Sequence, residues 1–299
     1  MQENILLFFK KSATPLWDHI AELVTMIGEQ YVFILILSFL YWNISKRYGF
    51  KLAVAFLYSS LFNAVLKLAF HTARPFEKLD FIEGKRVETA TGYSFPSGHT
   101  QGSTTFFFTL SRIIKKNWFT ALAILLILAI GVTRVYLGVH WPVDVIGGWV
   151  FGIAAAFAFC FVVDKYYDEA EKLKKIFFRI QAVVLVLTAA LLLFDLFYLQ
   201  GSMKIRDFFK LSGISSGAVY GFFLEMKYLG FSPSDGGKTV KIIRFILGLS
   251  VAVLLMVGLK IVFPVHYMAD FFRYAIIGLW VTYLWPAAGL KLRLFSRGD

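Results

Sequence analysis

Long apolar segments dominate this sequence and restrict what it can fold into. An apolar run of roughly 18 or more residues with few charges is long enough to cross a bilayer as a helix. Nine such runs are predicted, and polar or charged residues make the third and the seventh the weakest. They cover residues 20–43, 50–70, 99–114, 118–138, 141–163, 177–200, 213–230, 241–263 and 267–290. The expected fold is an all-α, polytopic integral membrane helical bundle with about nine transmembrane helices.

Composition excludes several classes of protein. Hydrophobic residues make up 58% and charged residues 17% of the chain, whereas soluble domains are less apolar and more charged, which argues against a cytosolic enzyme. The single cysteine, Cys160, excludes an internal disulfide and a cysteine-rich metal site. The net charge of +12 is better explained by basic cytoplasmic loops than by nucleic-acid binding, so no nucleic-acid partner is expected.

The distribution of Lys and Arg predicts how the chain is oriented. Cytoplasmic loops of membrane proteins carry an excess of basic residues. Segments 44–51, 112–117, 164–179, 230–244 and 291–299 together hold 17 Lys and Arg, against 9 in segments 1–17, 71–98 and 201–212. The first set is predicted to be cytoplasmic, so the N-terminus lies outside a multi-pass protein of the cell membrane.

Four regions are expected along the chain. Residues 1–17 are too short and mixed to span, and their apolar residues predict an interfacial segment. Residues 18–163 form the core, 164–178 a cytoplasmic linker, and 179–299 a four-helix membrane extension.

Three groups of polar and charged residues lie next to the predicted spans, all at helix ends assigned to the outer face. Such residues are costly in a membrane and are functional candidates by default. The groups are Lys67 with Arg74-Pro75, Pro96-Ser97-Gly98-His99, and Arg134 with His140 and Asp144.

The first two groups suit an anionic ligand. Lys67 offers a point charge and Arg74 a planar fork of donors, both matched to phosphate oxygens. Ser97 is a good N-cap and Gly98 allows close approach of a ligand to the backbone. The helix that follows would direct its free amide groups at an anion. Taken alone, Lys67 is also explained as a side chain that reaches to the membrane interface.

The third group predicts an activated histidine. Asp144 can accept a proton from one ring nitrogen of His140, which leaves the other nitrogen nucleophilic. The residues alone do not decide whether His140 or His99 is the nucleophile, and Arg134 is equally explained as a structural partner of Asp144. No second carboxylate accompanies Asp144 to hold a metal ion, so neither a metal nor another cofactor is expected.

These three groups resemble the signatures of the type 2 phosphatidic acid phosphatase superfamily. The family patterns are Lys-x6-Arg-Pro, Pro-Ser-Gly-His and Ser-Arg-x5-His-x3-Asp, and the chain carries all three in order. One departure is Thr133, where the family usually has Ser, which keeps the hydroxyl. The resemblance covers about residues 50–163.

The resemblance implies a role for each residue. It makes His140 the nucleophile that forms a phosphohistidine, Asp144 the group that orients it, and His99 the general acid. It assigns the binding of phosphoryl oxygens to five residues: Lys67, Arg74, Ser97, Gly98 and Arg134. It implies a metal-independent membrane phosphatase that acts on a phosphomonoester or a pyrophosphate at the extracytoplasmic side.

A lipid phosphate is the favoured substrate, because a membrane-embedded site can take a headgroup while the tail stays in hydrocarbon. The alternatives are a sugar-phosphate phosphatase, a lipid phosphotransferase that uses an acceptor other than water, and a non-catalytic lipid transporter. The intact His99, His140 and Asp144 argue against the transporter.

The second half contains a faint copy of the signatures. Lys260-x5-His266-x3-Asp270 repeats the spacing of the third group, and Ser215-Ser216-Gly217-Ala218 falls where Pro-Ser-Gly-His would. Ala218 replaces the acid, so a degenerate repeat of the core would hold a structural or weak anion-binding pocket. In that case His266 is expected near Asp270, at an outer helix end. The alternative is a buried His266–Asp270 pair that serves packing.

Overall fold

The protein is built from α-helices, as the apolar runs predict. The computed structural model describes residues 1–199, 205–263 and 266–298. Residues 200–204, which include the end of the sixth predicted span and the start of a predicted outer loop, lie outside the described part. The α-helices of the described part are α1 Gln2–Lys11, α2 Pro15–Ile27, α3 Gln30–Asn43, α4 Lys46–Phe70, α5 Pro75–Lys78, α6 Gly98–Ile114, α7 Asn117–Tyr136, α8 Pro142–Tyr166, α9 Ala170–Phe194, α10 Arg206–Tyr228, α11 Lys238–Val262, α12 Tyr267–Leu279 and α13 Trp285–Lys291.

Short elements complete the described chain. A 3₁₀ turn covers Val87–Thr89, and π-helical segments at Asp195–Leu199 and Trp280–Leu284 continue α9 and join α12 to α13. Strands β1 (Phe231–Ser232) and β2 (Ser296–Arg297) pair antiparallel, with Phe231 opposite Arg297.

The protein is a polytopic helical membrane protein. Six helical stretches of the described residues are long and apolar enough to cross a membrane: 15–43, 46–78, 117–136, 142–166, 170–197 and 238–262. Three predicted spans are helical without meeting this standard, namely 99–114, 213–230 and 267–290. They correspond to α6, α10 and α12–α13, which carry polar or charged residues in their first turns. The count of nine therefore stays a prediction.

Contacts within the chain define two units, while the four expected regions stay a prediction. The chain divides into two compact units: unit 1 contains residues 1–34 and 58–160, and unit 2 contains residues 35–57 and those from 161 onward. Residues 35–57, predicted as part of the core, thus group with the C-terminal region. The predicted linker 164–178 is mostly helical, because α8 runs to Tyr166 and α9 begins at Ala170.

Helix α6 lies at the centre of unit 1. Its residues from Thr100 to Thr105 are all buried, and their polar groups are matched by neighbours. Gln101 donates to the Ser59 carbonyl (2.8 Å), and Ser59 Oγ lies 2.8 Å from Thr105 Oγ1. Gly152 lets α8 approach closely, since a Cβ there would lie 2.7 Å from Thr104 Cβ. The polar residues that made 99–114 a weak predicted span therefore form hydrogen bonds inside unit 1.

The N-terminal helix α1 packs against other parts of unit 1. Leu6 is buried in a cluster with Ile82, Val135 and Val145. Lys10 donates to the Phe81 carbonyl (2.6 Å). The interfacial location predicted for residues 1–17 remains a prediction, and these contacts attach that segment to the loop between α5 and α6.

In unit 2, α10 and α12 pack with their backbones in close contact. A Cβ at Gly213 or Gly217 would overlap carbonyl oxygens of α12. The tetrapeptide 215–218 lies deep inside α10, which begins at Arg206. The predicted correspondence with Pro-Ser-Gly-His is therefore wrong in position, because residues 96–99 begin a helix.

His266 and Asp270 also differ from the expected pair. His266 is exposed and caps α12, with its Nδ1 accepting from the Met268 amide (3.2 Å). Asp270 is fully buried and forms ion pairs with Arg206 and Arg273. His266 and Asp270 thus each have other partners. Two arginines compensate the negative charge of the buried Asp270 carboxylate more strongly than a histidine ring would.

Candidate active site

The three signature groups meet at one end of unit 1, where α4 and α7 end and α6 and α8 begin. The residues brought together are Lys67, Arg74, Ser97, Gly98, His99, Arg134, His140 and Asp144. The backbone joins them directly: the Ser97 amide donates to the Asp144 carbonyl (3.0 Å), and the His140 amide donates to the Arg134 carbonyl (3.3 Å). The spacing of the third signature thus places His140 in the turn between two helices.

His140 is held between a carboxylate and a guanidinium. Its Nδ1 lies 3.3 Å from Asp144 Oδ2, and its Nε2 lies 3.2 Å from Arg74 Nη1. Asp144 Oδ2 also accepts from the Trp141 amide (2.8 Å), which fixes the carboxylate. With the proton on Nδ1, the lone pair of Nε2 points toward the cationic side of the site.

Burial, together with the charges of Arg74 and Arg134, holds the pKa of His140 well below its ordinary range. The ring is therefore neutral at pH 7. A neutral imidazole with an oriented Nε2 lone pair is the form required of a nucleophile.

Arg74 is buried and its donors are directed inward. Its Nη1 donates to the Val139 carbonyl (2.9 Å), beside the contact with His140. Its Nη2 donates to the Thr91 carbonyl (2.7 Å) and its Nε to the Gly92 carbonyl (3.2 Å). The guanidinium thus joins the turn that carries His140 to the loop that precedes α6.

Lys67 reaches the same loop. Its Nζ donates to the Thr91 carbonyl (2.9 Å), and a Cβ at Gly98 would lie 3.9 Å from that nitrogen. The Thr91 carbonyl oxygen therefore bridges Lys67 and Arg74. An oxygen atom thus lies within hydrogen-bond distance of both cations.

The start of α6 has the features predicted for it. Ser97 is the N-cap, and its Oγ accepts from the Thr100 amide (3.4 Å). Asn63 Nδ2 donates to the Pro96 carbonyl (3.2 Å) and steadies this turn. His99 Nε2 is buried and has no hydrogen-bond partner among the described residues. A shielded ring nitrogen without a partner is free to exchange a proton with a bound substrate.

Arg134 is not the partner of Asp144 that one alternative proposed. It is fully buried, and its Nη1 donates to Thr25 Oγ1 (2.9 Å) on α2. Its Nη2 lies 3.5 Å from Thr89 Oγ1, and its Nε has no partner within the described part of the chain. One edge of the guanidinium is thus anchored by hydroxyl groups, while an N–H remains for a ligand.

Metal-ion ligands do not cluster in the residues that the structure describes, where no group of three or more His, Cys, Asp or Glu side chains could hold an ion.

Comparison with known proteins assigns the family. Residues 48–168, which contain all eight candidate site residues, match the sequence model of the PAP2 superfamily. Residues 209–297 match a second model, described as "PAP2 superfamily phosphatase, transmembrane extension". The chain belongs to the PAP2 superfamily. The family predicted from the three signatures is therefore confirmed, and α10–α13 correspond to the PAP2 extension.

Named relatives of this PAP2 protein act on lipids. Undecaprenyl-diphosphatase of Sulfolobus acidocaldarius is 33% identical over 129 residues, which are 42% of this chain and 60% of the relative. Lipid A 4'-phosphatase of Bacteroides thetaiotaomicron is 25% identical over 176 residues, or 54% of this chain and 76% of the relative. The crystal structure of Aquifex aeolicus LpxE is 27% identical, with a TM-score of 0.48, covering 53% of this chain and 94% of that one.

Three residues of the PAP2 site escaped sequence reasoning. Thr91 contributes its carbonyl, Thr25 anchors Arg134, and Ser94 Oγ donates to Asp144 Oδ2. Ser94 lies only two residues before Pro96, so its proximity to the second signature was the available signal. Thr25 lies 109 residues from Arg134 along the chain, and nothing local in the sequence connects them.

Proposed function

We propose that this protein is a metal-independent membrane phosphatase that hydrolyses a phosphomonoester or pyrophosphate, favouring a lipid, through a phosphohistidine on His140. The observation that carries this proposal is the orientation of His140, with Nδ1 on Asp144 and Nε2 beside Arg74. Membership of the PAP2 superfamily and the names of its relatives support the same reaction. The chain spans about 60% of the undecaprenyl-diphosphatase that it matches.

The first step forms the covalent intermediate. The Nε2 lone pair of His140 attacks phosphorus, and the bond from phosphorus to the leaving oxygen breaks in line. His99 donates its proton to that oxygen, so the product leaves as a neutral alcohol or, from a pyrophosphate, as a protonated phosphate. Asp144 stabilises the positive charge that develops on the His140 ring.

The second step releases phosphate. The neutral His99 accepts a proton from water, and the hydroxide attacks the phosphorus of the phosphohistidine. The phosphorus–nitrogen bond breaks and its electron pair returns to Nε2 of His140. Inorganic phosphate leaves, and both histidines regain their starting forms.

The cations stabilise the charge on the equatorial oxygens in both steps. Arg134 offers its unpartnered Nε, and Lys67 and Arg74 carry donors now taken by the Thr91 carbonyl. We infer that a phosphoryl oxygen replaces that carbonyl when substrate binds. Ser97 and the Gly98 amide complete the set at the start of α6, where the helix dipole favours an anion.

A lipid substrate fits the surroundings of the site. Large apolar side chains are exposed next to the signature residues, among them Phe70 after Lys67, and Val143 and Ile146 on either side of Asp144. A tail lying along these side chains would remain in hydrocarbon while the phosphate reaches His140. A soluble sugar phosphate would leave this surface uncovered.

Phosphate release by detergent-purified protein tests the reaction and the substrate together. Phosphatidic acid, a polyprenyl diphosphate and glucose 6-phosphate should be compared at equal concentration, each with and without EDTA. We expect release from at least one lipid at more than about tenfold the rate from the sugar phosphate, unchanged by EDTA. Activity lost on chelation and restored by magnesium would overturn the metal-independent scheme. Transfer of the phosphoryl group to an added alcohol, in place of phosphate release, would favour a phosphotransferase. The absence of any turnover would favour a transporter.

The excess of basic residues on one face supports a site that opens to the extracytoplasmic side of the cell membrane. Exposed Asp80 lies in the loop on the site's side, and exposed Lys116 lies at the opposite end of unit 1, between α6 and α7. In a Cys160→Ala background, Asp80→Cys should react with an impermeant thiol reagent on intact cells. Lys116→Cys, the matched control, should react only after lysis. The reverse pattern would invert the orientation.

A further inference from the structure

The loop before α6 delivers a buried hydroxyl to the catalytic pair. Ser94 is fully buried, and its Oγ donates to Asp144 Oδ2. Ser94 Oγ also lies 3.4 Å from His140 Nδ1. The Ser94 amide donates to the Thr72 carbonyl (2.8 Å), which fixes the backbone that carries the hydroxyl.

Within the described part of the chain, every hydrogen bond of the Asp144 carboxylate falls on one of its two oxygens. Oδ2 receives Ser94 Oγ, the Trp141 amide and His140 Nδ1, while Oδ1 is buried without a partner among the described residues. Trp141 contributes a backbone donor from the same turn as His140. Ser94 is therefore the side-chain donor that comes from a different segment of the chain and sets the rotation of the carboxylate.

We propose that Ser94 is a positioning residue for the phosphatase reaction, holding Asp144 so that it accepts the Nδ1 proton of His140 and directs Nε2 at phosphorus. This role rests on the proposed function, because it acts through the nucleophile. The hydroxyl also stabilises the ionised carboxylate, since a hydrogen bond to the charged form favours that form.

Removing the hydroxyl should affect chemistry more than binding. Among the described residues, Ser94 makes no hydrogen bond to a group proposed to bind the phosphoryl oxygens, so KM should stay within about twofold. A hydrogen bond to a charged group contributes about 1.5–3 kcal/mol, and its loss in the transition state corresponds to a fall in kcat of about 10- to 150-fold. Inhibition by vanadate, which mimics the transition state on the histidine, should weaken in parallel.

The pH profile provides a readout that a purely structural role would not move. Without the Ser94 donor, Asp144 Oδ2 loses one of its hydrogen bonds and attracts the Nδ1 proton of His140 more strongly. A stronger hold on that proton favours the protonated ring of His140, which is not nucleophilic, so the acidic limb of kcat/KM should move to higher pH. The other charged and titratable side chains that face this pair are Lys67 from α4, Arg74 from the turn before α5, His99 from α6 and Arg134 from α7. They remain in every variant.

The test compares Ser94→Ala, Ser94→Thr and Ser94→Cys with Ser103→Ala as the matched control. Ser103 is also fully buried in unit 1, but the one partner of its hydroxyl among the described residues is the Thr100 carbonyl (3.1 Å) of its own helix. Hydrolysis in detergent is measured from pH 4 to 9 on whichever of phosphatidic acid, the polyprenyl diphosphate and glucose 6-phosphate the wild-type protein turns over fastest. Thermal unfolding reports folding. Ser94→Thr, which keeps the donor, should retain kcat within about threefold. Ser94→Cys keeps the size with a much weaker donor, so it should lose most of kcat even if Ser94→Ala folds poorly.

The outcomes separate this inference from the proposed function. Wild-type protein that releases no phosphate from any substrate refutes the reaction, and with it the role of Ser94. Wild-type turnover with an unchanged kcat and pH profile in Ser94→Ala refutes the role of Ser94 alone. Equal losses in Ser94→Ala and Ser103→Ala would reduce the effect to packing and overturn the inference.

Discussion

His140→Ala should abolish phosphate release, with a fall in kcat of about 10⁴-fold or more, the scale seen when a covalent nucleophile is removed. The reason is geometric, because among the described residues His140 is the histidine whose ring lies between Asp144, at Nδ1, and Arg74, at Nε2. Incubation with radiolabelled substrate, followed by denaturation at alkaline pH, should trap label on the wild-type chain and none on His140→Ala. The phosphorus–nitrogen bond of phosphohistidine is stable to base and labile to acid, which identifies the linkage.

Two other histidines sharpen this test. His99→Ala should reduce turnover by about 10²- to 10⁴-fold, the usual contribution of a general acid. It should still accumulate some phosphoenzyme from p-nitrophenyl phosphate, whose leaving group needs no proton. His19, exposed on α2, is the matched control, and His19→Ala should keep wild-type turnover. If label were trapped on His140→Ala and not on His99→Ala, His99 would be the nucleophile and His140 the general acid.

The three signatures predicted the site because each is local. Lys67 and Arg74 flank the end of one helix, and His140 and Asp144 are four residues apart across the start of another, so spacing alone brings their side chains to one face. The fixed polarity of the helices then gathers the groups at one end of unit 1. The choice of His140 over His99 came from the family resemblance, and the pairing of His140 with Asp144 agrees with it.

Contacts between distant segments could not be predicted in this way. The hydroxyl of Thr25 meets Arg134 only because α2 packs on α7. The Thr91 carbonyl meets Lys67 and Arg74 only because the loop before α6 folds back over them. Polar residues at the start of α6 weakened a span prediction, although in the fold they face polar partners on α4. Sequence pattern reports polarity, but the partner that satisfies it is a property of the tertiary fold.

The faint copy in the second half shows the same limit. The spacing of His266 and Asp270 repeats that of His140 and Asp144, yet the carboxylate of Asp270 is taken by Arg206, 64 residues away, and by Arg273. Equal spacing along the chain therefore does not give equal partners. That the second half superposes on the first remains a prediction. The tetrapeptide 215–218 no longer supports it as a counterpart of Pro-Ser-Gly-His.

Asp270→Ala should destabilise the fold by about 3–5 kcal/mol, because removing one partner of a buried ion pair leaves uncompensated charge. Asp270 is fully buried and Arg273 is nearly so. Arg273 pairs with Asp270 through Nη2, and its Nη1 has no hydrogen-bond partner in the described chain. The eight candidate site residues all belong to unit 1, whereas Asp270 belongs to unit 2. The folded fraction of the variant should therefore keep a wild-type kcat. Thermal unfolding in detergent, paired with turnover per folded molecule, measures both effects.

Two variants calibrate the size of this loss. His266→Ala removes only the ring that caps α12, so it should cost about 1 kcal/mol, more in stability than in turnover. Asp207→Ala removes a partly exposed partner of Lys210 within α10, a pair expected to contribute about 0–1 kcal/mol. Asp270→Ala should destabilise the fold far more than His266→Ala or Asp207→Ala does. Asp144→Ala should instead abolish turnover. If His266→Ala or Asp270→Ala silenced a protein that unfolds at the wild-type temperature, the second half would take part in catalysis and the structural role of Asp270 would be wrong.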